Sequence, residues 1–147
     1  RELTGVKFRA KLFCASEQKQ ELRNFIATNH APKHMAENML DRDWLKQTFN
    51  CVWSESSVRM PTVGIDIYVC GFPCGPWTPR GLRKGLDDPE SKCFWGAVKT
   101  IKTLQPAIYV LENVMRTAAA DGGKDFSKMT QHMEEELRGC FNFFWNS

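Results

Sequence analysis

The amino-acid sequence predicts an α/β fold, a sheet with helices on both faces. Three features point there: short apolar runs alternate with stretches of helical periodicity, the runs end near Gly or Pro, and a polar group follows each run. Residues 11–16 are the first strand candidate, short and mostly apolar. A helix is expected over residues 18–29, with Leu22, Phe25 and Ile26 at i, i+3 and i+4 and Pro32 as its stop. Residues 43–49 read as a weaker helix. Residues 65–70 are β-branched and apolar, and Gly71 and Pro73 end them, as expected of a buried strand.

Residues 71–89 hold four Gly and four Pro among Arg80, Arg83, Lys84, Asp87 and Asp88, too broken for a regular element, and read as a long functional loop. A helix follows over residues 91–104, with Phe94, Ala97, Ile101 and Leu104 on one stripe. Residues 107–111 form another fully apolar strand. A last helix over 126–137 precedes a terminal aromatic strand. His132 and residues 134–136 on that helix read as a solvated face.

At 147 residues, 42% hydrophobic and 25% charged, the composition is that of one ordinary globular domain and excludes a disordered or fibrous chain. No repeat or Pro/Gly/Ser linker divides it, so a single unit is expected. The chain is short for an enzyme that holds both a cofactor and a nucleic acid, and it starts at Arg1 and stops in an apolar run, so a fragment is expected. A net charge of +3 permits a polyanionic partner without requiring one. Six scattered cysteines and no signal peptide point to thiols in a reducing, intracellular compartment. No apolar run approaches the roughly 20 residues that cross a bilayer, so no membrane role is expected. Cys70 and Cys74 have no second Cys/His pair to complete a zinc site, so no metal is expected, and Cys70 reads as a core-facing strand residue. Trp53, Trp77, Trp95 and Trp145 read as packing residues.

In open α/β sheets ligands collect at the carboxyl ends of strands. Glu17, Cys74 and Glu112 each follow a strand candidate. Cys74 lies between Pro73 and Gly75, where the sulfur is left exposed and nearby amides favour a thiolate. A lone cysteine is more often a small buried hydrophobe, so Cys74 needs companions to carry chemistry.

Those companions exist. Gly71-Phe72-Pro73-Cys74-Gly75 is followed by Trp77, Thr78, Gly81, Gly85 and Asp87-Asp88, and Glu112-Asn113-Val114 follows the strand at 107–111. This resembles the cytosine carbon-5 DNA methyltransferase family, whose nucleophile segment runs Gly-Phe-Pro-Cys-Gln, then an aromatic, Ser and two spaced glycines, and whose next landmark is Glu-Asn-Val. Residues 13–17, ending in Glu17, resemble the family's second motif, and residues 29–32 with Asn38-Met39 resemble the stretch after that motif. The resemblance implies a Rossmann-like S-adenosylmethionine-dependent methyltransferase sheet, truncated at both ends and lacking the target-recognition domain.

For site residues it implies Cys74 as the thiolate that adds to cytosine carbon 6 and Glu112 as a carboxyl at ring nitrogen 3, protonated because it is buried. Asn113 would hold neighbouring backbone or base, and Pro73 would shape the turn and contact the exocyclic amine. Glu17, Gln18, Asn38, Met39, Gly71 and Pro73 would hold S-adenosylmethionine, Glu17 through the ribose hydroxyls. Thr78, Arg80, Gly81, Arg83 and Lys84 would meet the DNA, from which the cytosine is flipped out. Departures are Gly75 for Gln, Thr78 for Ser, Glu90 for Arg, Gln18 for an apolar residue and Asn38 for Asp. The Gly-rich first motif and the later Arg-x-Arg motif are not in this sequence. The expected protein is a monomeric DNA (cytosine-5-)-methyltransferase acting on double-stranded DNA, in the nucleus of a eukaryote or in the cytoplasm or nucleoid for a bacterial or viral protein. Two alternatives remain open at this point: a transfer RNA methyltransferase of the same fold, and a non-catalytic homologue that binds nucleic acid or protein.

Overall fold

A computed structural model describes residues 10–44, 46–61 and 64–139. The chain divides between Arg59 and Met60 into two compact units.

In the first unit, β1 (Cys14–Ser16) and β2 (His34–Ala36) run parallel, with α1 (Gln20–His30) between them in sequence. The helix starts where the Glu17 carboxylate accepts the Lys19 amide at 2.9 Å, and it ends at Ala31 in the left-handed region (φ 42°), just before Pro32. Its expected apolar stripe is not its buried face. Leu22 and Phe25 are exposed, whereas Arg23 is 7% exposed. That burial is sustained by hydrogen bonds: Arg23 Nη1 donates to the backbone oxygens of Glu17 (2.9 Å) and Gln18 (2.6 Å), and Nη2 to Gln20 Oε1 (2.6 Å).

The helix expected over 43–49 does not form. A three-stranded antiparallel sheet stands there instead: β3 (Arg42–Asp43), β4 (Thr48–Cys51) and β5 (Ser56–Arg59). Asp43 Oδ1 accepts the Lys46 amide and Gln47 takes a left-handed φ of 53°, which turns the chain where a helix would continue. Thr48 then pairs with Arg59 and Cys51 with Ser56 around a second turn at Glu55. Cross-strand pairing and burial of Phe49 and Cys51 outweigh a weak helical preference. Trp53, in that turn, is 46% exposed and packs no core.

In the second unit, β6 (Ile67–Gly71) and β7 (Ile108–Glu112) pair parallel, Ile67 opposite Ile108 and Gly71 opposite Glu112. Between them runs α2 (Lys92–Leu104), whose Phe94, Ala97 and Ile101 are at most 1% exposed, as the stripe requires. Gln105 in the left-handed region (φ 47°) and Pro106 end it. The short α3 (Arg116–Ala119) and the expected α4 (Lys124–Leu137) follow, and Met129, Met133 and Leu137 of α4 are buried. Lys102 of α2 donates to Glu136 of α4 at 2.7 Å, and that hydrogen bond holds the Glu136 carboxyl below its ordinary range. His132 is not simply solvated: its ring stands edge-on to Trp95 at 4.7 Å.

The strands at 65–70 and 107–111 are buried on one face only. Cys70 faces the core, while Ile67, Val69, Ile108 and Val110 are exposed on the other side. Among the described residues the strands form three small sheets of two, three and two members, in a mixed α/β fold. The terminal strand expected after α4, with Trp145, lies outside the described residues. No helix among the described residues is long and apolar enough to cross a membrane.

Candidate active site

The parallel pairing of β6 and β7 sets two carboxyl ends side by side; Glu112 is the last residue of β7, and Cys74 lies in the segment leaving β6. Gly71, the last residue of β6, lies opposite Glu112 and has no side chain to displace it: a methyl there would meet Glu112 Oε2 at 3.2 Å. The Glu112 carboxylate can therefore lean over the strand end. It is exposed, contrary to the expected burial, because alternation along β7 puts it on the same face as Ile108 and Val110.

Asn113 binds the two segments together. Its Nδ2 donates to the Phe72 carbonyl at 2.9 Å and the Pro73 carbonyl at 3.4 Å, while its Oδ1 accepts the Thr117 hydroxyl at 2.9 Å and the Val114 amide at 2.8 Å. All four bonds leave the amide one possible orientation. Immediately after Pro73, Cys74 has φ −94° and ψ −8°, in the sparsely populated bridge region, and its carbonyl accepts the Trp77 amide at 3.0 Å. Its thiol is exposed.

The loop over 71–89 is more ordered than its Gly and Pro content predicts, with 3-10 turns at Gly75–Trp77, Gly85–Asp87 and Pro89–Ser91. Trp77 is 2% exposed and edge-on to Phe72, which packs on Phe94 of α2. Between the first two turns, Arg80, Arg83 and Lys84 are exposed, and no salt bridge among the described residues engages them. Thr78 and Gly81 are half-buried and joined by the Gly81 amide to the Thr78 carbonyl. Glu90, where the resembled family commonly has Arg, brings its carboxylate to within 2.7 Å of where a side chain at Gly75 would begin.

Glu17, Gln18, Asn38 and Met39 belong to the first unit, at the carboxyl ends of β1 and β2. An open cavity of about 590 Å³ there is lined by Gln18, Glu37, Asn38, Leu40 and Asp41. Asn38 Oδ1 accepts the Leu40 amide at 2.9 Å, which leaves Nδ2 as a donor toward a ligand. Arg23 escaped the sequence reading, yet it grips the backbone of Glu17 and Gln18. Nearby chemistry of the thiols is uneven: burial pushes Cys14 up to about 11. In Cys51, burial is outweighed by hydrogen bonds from Ser54 and neighbouring amides, which hold the thiol down to about 6. No cluster of metal-ligating side chains occurs among the described residues.

Residues 4–146 match the family model described as C-5 cytosine-specific DNA methylase. The Type II methyltransferase M.NgoBI of Neisseria gonorrhoeae is 33% identical over 70 residues, 48% of this chain and 22% of that protein. M.SsoII, a Type II methyltransferase of Shigella sonnei, is 36% identical over 70 residues, 48% of this chain and 18% of its own length. The orphan methyltransferase M.SPRI of Bacillus phage SPR is 34% identical over 70 residues, 48% of this chain and 16% of its own. The chain thus spans about a fifth of the curated relatives it matches.

Proposed function

Because the chain belongs to the C-5 cytosine-specific DNA methylase family, we propose that the whole protein is a DNA (cytosine-5-)-methyltransferase whose nucleophile is Cys74. The observation that carries this reading is the exposed Cys74 thiol on a segment braced by Asn113, which follows Glu112 at the shared edge of β6 and β7. The two parallel strand–helix–strand units are read as parts of a Rossmann-like sheet in the whole protein.

Carbon 5 of cytosine is a poor nucleophile. A Cys74 thiolate adding to carbon 6 forms a sulfur–carbon bond and moves the ring double-bond pair toward carbon 5. The ring gains negative charge, which a Glu112 carboxyl hydrogen-bonded at nitrogen 3 stabilises. Asn113 and Pro73 hold the turn so that the sulfur does not drift from the ring face. Once carbon 5 has spent that pair on a bond to the incoming methyl, loss of its proton to water and departure of Cys74 as thiolate restore the double bond. S-adenosylmethionine, when bound, supplies an electrophilic methyl on a sulfonium.

The polar lining of the first unit fits that cofactor. Glu17 Oε1 is taken by Lys19, and its second oxygen can accept a ribose hydroxyl. Asn38 Nδ2 can donate to an adenine ring nitrogen, with Gln18 on the same cavity wall and Met39 next to Asn38 in the chain. Double-stranded DNA is the substrate this reading assigns. Thr78, Arg80, Gly81, Arg83 and Lys84 lie in the segment that would meet it, the three cations at phosphates.

The test is covalent trapping of the full-length protein with cofactor on duplex DNA containing 5-fluorocytosine, which has no carbon-5 proton to lose. A stable adduct is expected with the wild type and none with Cys74→Ser. An adduct that forms equally with Cys74→Ser, or forms only on transfer RNA, overturns the proposal.

A further inference from the structure

A single carboxylate oxygen ties down both ends of the segment that follows the nucleophile. Asp125, in the first turn of α4, has Oδ2 within 3.1 Å of the Trp77 indole nitrogen and 3.1 Å of the Leu86 amide, and both donate to it. These partners are 48 and 39 residues away in sequence. Trp77 lies in the first 3-10 turn and Leu86 in the second, so the stretch between them, with Thr78, Arg80, Gly81, Arg83 and Lys84, is closed at its base. The buried indole N–H needs an acceptor, and Asp125 is the one it has.

The surroundings leave little play. Gly85 has φ +55°, and a side chain there would overlap Asp125 Oδ2, so carboxylate and backbone touch directly. The Gly85 carbonyl is taken in turn by the Ser91 hydroxyl at 2.7 Å, just before α2. On the other side, Trp77 stands against Phe72, whose carbonyl Asn113 grips, two residues before Cys74.

We propose that Asp125 is a positioning residue: it latches the base of the segment over 78–86 and thereby holds the Cys74 turn in its reactive setting. The proposal rests on the methyltransferase reading above. Asp125 touches no reacting atom; it acts through Trp77 and Leu86.

The experiment compares full-length wild type, Asp125→Ala, Asp125→Asn and Trp77→Phe, with two readouts. Steady-state methyl transfer to duplex DNA separates kcat from KM, and amide hydrogen exchange without DNA reports loop order. Asp125→Ala is expected to lower kcat at least about tenfold with a smaller change in the DNA KM, because the loss is of geometry rather than of DNA binding. Exchange should rise at 78–86, the Leu86 amide above all, with α2 still protected. Asp125→Asn keeps an oxygen that can accept both N–H groups and should recover most of the rate. Trp77→Phe keeps an aromatic ring but removes the indole N–H and the volume of one fused ring, leaves the Leu86 bond to Asp125, and should fall between. Wild-type kcat in Asp125→Ala overturns the latch, as does exchange rising equally through α2 and α4, which marks a purely structural residue. A wild type that transfers no methyl and forms no adduct refutes the methyltransferase reading instead, and the exchange data still judge the latch separately.

Discussion

Two glycines beside Cys74 carry opposite meanings that only close distances reveal. A methyl at Gly81 would run into the backbone carbonyl of Gly75, which cannot move without shifting the Cys74 turn. A methyl at Gly75 would meet only the far end of the exposed Glu90 side chain, which can swing away. Gly81→Ala is therefore expected to destabilise by roughly 2 kcal/mol or more, and Gly75→Ala by less than about 0.5 kcal/mol, in chemical denaturation of the full-length protein. Equal effects would refute this account. Asn113 shows a related economy, since one side-chain amide satisfies two carbonyls, a hydroxyl and an amide and needs no further partner. Cys74 was legible in the sequence because its neighbours form a motif. Glu112 was legible as a strand-end carboxylate, but its exposure was not, because a two-faced strand and a fully buried one look alike as an apolar run.

At the scale of elements, α1 and α2 are contrasting cases. Helix α2 buries the stripe its periodicity announces, and packing of Phe94, Ala97 and Ile101 stabilises it. Helix α1 instead buries Arg23 and leaves Leu22 and Phe25 exposed. The guanidinium organises the turn between β1 and α1 by occupying the carbonyls of Glu17 and Gln18, where the cofactor is proposed to bind. Arg23→Ala removes a buried guanidinium and strips those part-buried carbonyls of their partner. It is expected to cost on the order of 2–3 kcal/mol and to weaken S-adenosylmethionine binding more than DNA binding. Calorimetric titration of the full-length variant decides this, and unchanged cofactor affinity would show that the arginine supports the unit alone. The hairpin of β4 and β5 is the other lesson at this scale. Residues 43–49 carry a weak helical pattern, and pairing partners ten or so residues further on override it.

For the whole molecule, charge matters more through its placement than through its sum. The net charge is only +3, yet Arg80, Arg83 and Lys84 fall within a five-residue span of the loop that follows Cys74, exposed and outside the observed salt bridges. Replacing all three by Ala in the full-length protein is expected to weaken duplex DNA binding and to lower the log–log salt slope by up to about 3, near 0.9 for each phosphate no longer neutralised. A slope that does not change would remove these residues from the DNA interface. The sequence by itself determined β1 and α1, the strand–helix–strand succession of β6, α2 and β7, the stripe of α2, and Cys74 and Glu112 at strand ends, while β2 went unread; periodicity and turn chemistry are written within a few neighbouring residues, and a three-residue strand carries too little of either. Only the tertiary structure decided that Arg23 is buried, that one face of β6 and β7 is exposed, and that Asp125 reaches Trp77 across 48 residues. Those outcomes depend on which distant groups meet, and local propensity is too weak to specify them.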